Sequence, residues 1–148
     1  MPGLFDFLRR ARTPKLSPRQ ARGRVGEETA EKFLQRHGHR VIARNVTYPQ
    51  GEVDLITRDK RADTLCFVEV RSRNLAAGEV PRVTPEESVT PAKARRVVRA
   101  ARQFLTERDL RDVAVRFDVV TVIFTDGDHK HPDIRHYPSA FDARGKAT

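Results

Sequence analysis

The sequence predicts an α/β domain, in which strands alternate with two helices. Two stretches, GEVDLI at 51–56 and FVEVRSRN at 67–74, show the alternation of apolar and polar residues that is typical of β-strands. A third, VAVRFDVVTVIF at 113–124, is apolar on both faces near its end, as expected of a strand covered on both sides. The stretches 17–38 and 90–105 each begin with a capping residue followed by proline, a pattern that begins helices.

The first helix is expected to begin at Ser17 and Pro18 and to end at Gly38, a residue type that commonly follows a helix. Gly23 and Gly26 interrupt it, and each costs about 1 kcal/mol relative to alanine inside a helix. The two glycines therefore indicate either a close approach of the backbone to a neighbouring element or a break in the helix.

The second helix is amphipathic, with an apolar stripe at i, i+1, i+4, i+7 and i+8 from Val97. Its other face is basic and carries Lys93, Arg95, Arg96, Arg99 and Arg102. Such a face is often merely solvated. In a chain this rich in cations, we interpret it as a candidate surface for nucleic-acid phosphates.

Less regular segments complete the chain. HRVIARNVT at 39–47 predicts a first strand and 134–137 a last edge strand, while Gly, Pro and charged residues at 75–90 predict a long loop. The histidines and aspartates between Asp126 and His136 lack the spacing of a metal site, so we interpret them as a polar hairpin loop. The predicted organisation is a flexible basic arm at 1–16, one domain at 17–141 and a frayed tail at 142–148.

Composition indicates a polyanionic partner. The 148 residues carry a formal net charge of +9 with a pI of about 10.5, a surplus that favours nucleic acid over a merely basic solvated surface. The single cysteine, Cys66, excludes an internal disulfide. No segment is long and apolar enough to cross a membrane, and the N-terminus lacks the order of a signal peptide. We therefore expect a cytoplasmic location and no membrane partner.

The acidic side chains of the two alternating strands indicate a metal site. The polar spacer between the strands predicts a hairpin that sets Asp54 near Glu69, with Val53 and Leu55 together on the opposite face of the first strand. Carboxylate oxygens are the ligands that magnesium prefers. A salt bridge between Glu69 and Arg71, which share a strand face, is the alternative explanation.

Glu27 and Glu28 follow the second glycine of the first helix. One interpretation is a solvated helical face, on which Glu27 and Glu31 lie one turn apart. The other is that one of these glutamates joins the two strand carboxylates.

The order of these motifs (a helix with glutamate, a strand, GEVDLI, FVEVRSR, a basic helix, RFDVV) resembles the PD-(D/E)XK, or restriction-endonuclease-like, superfamily. Within it, the chain resembles the YraN-like family of uncharacterised, predicted endonucleases, over about residues 23–124. The resemblance implies a mixed central sheet flanked by helices, similar to that of archaeal Holliday-junction resolvases. By the same analogy, a homodimer is expected.

Residue by residue, the resemblance assigns metal binding to Asp54, Glu69 and the carbonyl of Val70, and the acid of the first helix to Glu27. The implied cofactor is Mg²⁺, with Mn²⁺ as a substitute. Arg71 stands where the superfamily usually has lysine. Arginine cannot act as a base, but it can hold a phosphate and stabilise negative charge. Flanking phosphates are assigned to Arg73 and to the basic face of the second helix.

Two functional hypotheses follow. The first is a magnesium-dependent endonuclease that acts on structured or branched DNA, with Glu27, Asp54, Glu69 and Arg71 as its catalytic residues. The second is a nucleic-acid-binding or interaction module that cuts nothing, in which Glu69 and Arg71 form a structural pair. A basic RNA-associated protein is a third alternative, with DNA favoured over RNA as the partner.

Overall fold

Two helices pack on opposite faces of a five-stranded sheet in the computed structural model, which describes residues 18–80 and 88–148. The predicted arm at 1–16, the predicted cap Ser17 and part of the predicted long loop lie outside the described residues. The elements, in chain order, are α1 (Pro18–Arg36), β1 (His39–Tyr48), β2 (Gly51–Asp59), β3 (Thr64–Leu75), α2 (Pro91–Glu107), β4 (Val115–Thr125) and β5 (Asp128–Phe141).

The sheet follows the chain order β1-β2-β3-β4-β5. Neighbouring strands are antiparallel except for β3 and β4, which are parallel and are connected through α2. The prediction of an α/β domain with a mixed sheet flanked by helices is confirmed, and the arrangement is compatible with a restriction-endonuclease-like fold. Neither described helix combines the length and apolar character needed to cross a membrane.

The core has two parts, one on each face of the sheet. Under α2, Phe67 of β3 meets Phe104 edge to face, with ring centroids 5.9 Å apart. Under α1, Val68 packs in a separate cluster with Ala30 and Leu34. Successive residues of β3 therefore serve opposite faces, as the alternation of strand side chains requires.

Both helices approach the sheet closely through glycine. α1 is unbroken, and a Cβ at Gly26 would lie 2.5 Å from the Cβ of Ser72, so this glycine lets the helix contact β3. A Cβ at Gly51 would lie 1.9 Å from the carbonyl oxygen of Arg96, so β2 and α2 touch backbone to backbone there. Of the two interpretations of the helical glycines, close approach is confirmed at Gly26.

The end of the chain is more regular than its sequence predicts. β5 runs from Asp128 to Phe141, so the edge strand is much longer than the predicted 134–137. The predicted hairpin loop is correspondingly reduced to a turn at Asp126 and Gly127. β5 is an edge strand with few buried residues, and its pairing with β4 comes from backbone groups that leave no apolar pattern. The tail differs from the expected frayed end, because Ala147 pairs with Phe141.

Candidate active site

Asp54 lies where β2 and β3 stop pairing. The ladder between the two strands ends at Leu55 and Val68, and one residue further the Asp54 carboxylate accepts the backbone N–H of Val70 at 2.8 Å. The side chain thus replaces the backbone acceptor that a continued ladder would supply. The alternation of β2 also changes here. Val53 packs under α2 and Leu55 under α1, so the prediction that they share a face is wrong.

The carboxyl groups of Asp54 and Glu69 are hydrogen-bonded to each other. Glu69 is only 7% exposed. Burial, followed by the neighbouring Asp54 carboxylate, raises the pKa of Glu69 well above its usual range. Burial also raises the pKa of Asp54, although the hydrogen bonds from Val70 and Glu69 oppose this. The hydrogen bond between the two carboxyl groups raises the pKa of Glu69 and lowers that of Asp54.

Lys93 supplies the nearby positive charge. Its Nζ lies 3.7 Å from Oε1 of Glu69, and its backbone N–H donates to the side chain of Thr90, the predicted cap of α2. Arg71, in contrast, makes no ion pair in the described part of the chain, although its charge still lowers the pKa of Glu69 from a longer range. The alternative explanation from the sequence, a Glu69–Arg71 salt bridge, is thus not seen among the described residues, and Glu69 instead pairs with Lys93 between β3 and α2.

Glu27 is the glutamate of α1 that faces this site. Burial and the Asp54 carboxylate raise the pKa of Glu27 to about 7, while a hydrogen bond with the side chain of Asn45 opposes the shift. Glu28 points elsewhere, is exposed and pairs with Arg24 at 2.9 Å. The choice between the two glutamates, open from the sequence, is thereby resolved in favour of Glu27.

Asn45 also belongs to the site, although the sequence alone did not indicate it. It lies within β1 in the left-handed region, at φ 48°, and its side chain bonds Glu27. Asparagine tolerates this conformation better than other non-glycine residues, and it is depleted in strands. An asparagine inside a predicted strand was therefore the available signal, although it does not indicate which side chain it contacts.

The carboxylates fit a magnesium-type cation better than zinc. Among the described residues, no three His, Cys, Asp or Glu side chains converge closely enough to chelate one ion. Asp54 and Glu69 form a buried pair whose like charges a cation would neutralise. Magnesium is often held by only one or two carboxylates and completes its shell with water and phosphate oxygens.

The exposed side of α2 forms a basic groove with the turn between β1 and β2. The groove, which has a volume of about 970 Å³, is lined by Arg96, Arg99, Arg102, Gln103 and the turn residues Pro49 and Gln50, among others. Two of the predicted phosphate-binding residues contact the C-terminal residues, and one of these, Arg102, also lines the groove. Arg102 donates to the carbonyl of Ala143 at 3.4 Å, and Arg95 lies against Gly145. Arg73 is exposed near the end of β3.

Comparison with known proteins identifies the family to which this chain belongs. The model of the uncharacterised protein family UPF0102 matches residues 26–122, which includes Glu27, Asp54, Glu69 and Lys93. This chain belongs to the UPF0102 family. A UPF0102 protein of Anaeromyxobacter dehalogenans is 45% identical over 128 residues, covering 86% of this chain and 89% of that protein. One from Myxococcus xanthus is 44% identical over 126 residues, covering 84% and 92%.

This UPF0102 protein has a second polar cluster, formed by side chains of β2, β4 and β5. Arg116 donates two hydrogen bonds, of 2.8 and 2.9 Å, to the fully buried Asp118, which also interacts with Nε2 of His136 at 2.8 Å. A further bond from Arg116 reaches Asp59 at 3.1 Å. Hydrogen bonding from His136 and Arg116 lowers the pKa of Asp118 despite its burial. Because every oxygen of Asp118 is engaged, this cluster joins β2, β4 and β5 and presents no open carboxylate.

Proposed function

We propose that this protein is a metal-dependent endonuclease that hydrolyses phosphodiester bonds in structured or branched DNA. The observation that carries the proposal is the pair of buried, mutually hydrogen-bonded carboxyl groups on Asp54 and Glu69, with Lys93 beside them. Two adjacent buried acids destabilise each other, so neutral side chains would serve a purely structural role at least as well. A bound divalent cation explains why both positions carry a carboxylate.

Each side chain has a role in this proposal. Asp54 and Glu69 would hold Mg²⁺ or Mn²⁺, and the Asp54–Val70 hydrogen bond orients one of the two carboxylates in advance. When bound, the cation provides a nucleophilic water near neutral pH and offsets charge on the scissile phosphate. Glu27 would orient a water at the edge of the site, with Asn45 holding its carboxylate in place. Arg71 would bind a phosphate oxygen. It would not act as a general base, because its guanidinium stays protonated.

The basic groove supports nucleic acid as the substrate. Lys93, Arg96 and Gln103 recur along one side of α2, and residues 93 and 103 are about 15 Å apart along the helix axis. That distance is the rise of roughly four nucleotides of a duplex strand. A strand whose scissile phosphate lies at Glu69 could therefore continue along the groove lined by Arg96 and Arg99.

A cleavage panel tests the proposal directly. Labelled duplex, flap, four-way-junction and single-stranded DNA, together with RNA, would be incubated with Mg²⁺, with Mn²⁺ and with EDTA. We expect cutting of at least one DNA with metal only, and its loss in Asp54→Asn and Glu69→Gln. Glu28→Gln is the matched control, because this exposed glutamate pairs with Arg24 away from the site.

The second candidate is a nucleic-acid-binding module that does not cut. It is favoured by one observation, the arginine at position 71 in place of the expected lysine. Such a module would bind DNA equally with metal and with EDTA, and no substrate of the panel would be cleaved at any enzyme excess. That result would reject the endonuclease.

A further inference from the structure

Lys93 occupies the position from which a cation can act on a phosphate at the carboxylate pair. Its Nζ is 3.7 Å from Glu69, longer than the 2.7–2.9 Å or so that is typical of a tight charge-assisted hydrogen bond. The side chain is 35% exposed, whereas that of Glu69 is 9% exposed. The ammonium therefore faces the carboxylate on one side and open solvent on the other, where a substrate would lie.

The backbone of Lys93 is held in place while its side chain keeps this freedom. Its N–H bonds the Thr90 side chain at 3.2 Å, and Pro91 begins the helix. One turn further, Arg96 contacts Gly51 at the start of β2, the strand that carries Asp54. The start of α2 is thus packed on the strand of one carboxylate and ion-paired with the other.

We propose that Lys93 is a catalytic residue of the endonuclease and that its ammonium binds a non-bridging oxygen of the scissile phosphate. This inference rests on the proposed function and assigns to α2 the lysine that β3 lacks at position 71. In the reaction, the oxygen of water bonds to phosphorus and the bond from phosphorus to the sugar oxygen breaks. One water proton goes to the leaving sugar oxygen and the other to solvent.

The charge balance of that step explains the need for the ammonium. The phosphate changes from a singly charged diester to a doubly charged monoester, so negative charge grows on its oxygens. A fixed cation that contacts those oxygens stabilises the transition state more than the ground state. A residue that binds only flanking phosphates stabilises both equally, which changes affinity and leaves the saturated rate unchanged.

The test separates rate from affinity. Single-turnover cleavage at saturating protein would be measured for Lys93→Met and Lys93→Arg on the substrate that the wild type cuts, and affinity by fluorescence anisotropy in EDTA. We expect Lys93→Met to lower the saturated rate by about 10²–10³-fold, with the Kd changed by less than about threefold. Lys93→Arg should have a saturated rate about tenfold or more above that of Lys93→Met, since it restores the positive charge. Arg111→Met, at a side chain that is 85% exposed, is the control.

A measurement without metal or substrate tests the contact itself. Thermal unfolding in EDTA at pH 8.5 would be compared for Lys93→Met, Glu69→Gln and the double variant. If the two side chains interact in solution, the shifts in Tm are non-additive and Lys93→Met has little effect once Glu69 is neutral.

Two outcomes would overturn the inference. A saturated rate within about threefold of wild type in Lys93→Met would exclude a role in the transition state, and a loss confined to subsaturating protein would make Lys93 a flanking phosphate contact. Additive Tm shifts would show that Lys93 does not lie at Glu69. If the wild type cleaves nothing in the panel, the proposed function itself fails, and this assignment fails with it.

Discussion

Asp54 accepts a 2.8 Å hydrogen bond from the backbone N–H of Val70, at the point where β2 and β3 separate. One carboxylate therefore has two roles, since it satisfies a backbone donor of β3 and forms half of the candidate metal site. Asparagine can perform the first role but not the second, because it accepts a hydrogen bond and carries no charge.

We expect Asp54→Asn to fold as stably as the wild type in EDTA and to lose Mn²⁺ binding, while Asp54→Ala loses both. The alanine variant leaves the Val70 N–H without its acceptor, which costs about 1–3 kcal/mol for a buried group. Urea unfolding in EDTA and calorimetric titration with MnCl₂ would measure the two effects. Equal stability of the two variants would show that the Asp54–Val70 bond contributes nothing.

Glu27 and Glu28 form a natural matched pair. The pKa of Glu27 lies at about 7 against an ordinary 4.5, so the folded state binds a proton more tightly than the unfolded state. Stability is therefore lost as pH rises from about 4.5 to about 7. Glu27→Gln removes the cost of ionising Glu27 in the folded state. The variant should therefore be more stable than wild type above pH 7 by about 1–2 kcal/mol, a value reduced for solvent screening of a partly exposed group.

Urea unfolding in EDTA at pH 5 and pH 8.5 would test this expectation. Glu28→Gln should show no such pH-dependent gain. A gain for Glu27→Gln that is as large at pH 5 as at pH 8.5 would contradict the assignment, because the penalty requires an ionised Glu27.

Gly26 and Gly23 are predicted to respond to alanine in opposite directions. A Cβ at Gly26 would meet Ser72 at 2.5 Å, so Gly26→Ala must displace α1 from β3 and carry Glu27 away from Asp54. A Cβ at Gly23 meets only the Glu27 carboxylate, at 3.8 Å. Gly23→Ala should therefore stabilise the helix by up to about 1 kcal/mol, whereas Gly26→Ala should lower Tm and metal affinity together. Similar Tm values for the two variants would contradict the close packing.

The sequence predicted that Asp54 and Glu69 lie close together because turn chemistry acts locally, although the alternation of β2 fails at Asp54. GEVDLI and FVEVRSRN identify a hairpin, and a hairpin alone is enough to place Asp54 near Glu69. Lys93 could be recognised only as part of a basic face, because its contact with Glu69 spans a crossover connection and no periodicity indicates its direction. The contact of Asn45 could not be predicted for the same reason, because alternation indicates which face of a strand a residue lies on but not which helix packs against that face.

His39 is predicted to control part of the acid sensitivity. It is buried against Thr57, with its ring 5.5 Å from that of His136, and burial lowers its pKa. The charged groups around His39 act in both directions. Asp59 and Asp118 raise its pKa, while His136 and Arg116 lower it further.

Because the unfolded state binds the proton more tightly, stability falls as pH drops below about 6.5, the usual histidine pKa. His39→Gln keeps a polar partner for Thr57 and should flatten the dependence of the urea midpoint on pH between 5 and 6.5. His131→Gln is the control, because that side chain is 82% exposed. A slope unchanged in His39→Gln would assign this acid sensitivity to other groups.

The arginines of the basic groove are expected to determine how strongly binding depends on salt. Each phosphate neutralised on duplex DNA contributes about −0.9 to the slope of log K against log salt. Arg99→Met, in the groove, should therefore make the slope less steep by about 0.9 and leave the saturated cleavage rate unchanged, in contrast to Lys93→Met. Arg111→Met removes the same charge from a residue paired with Asp109 at 2.8 Å, and it should leave the slope unchanged. Equal changes for both arginines would mean that net charge, rather than this groove, attracts the nucleic acid.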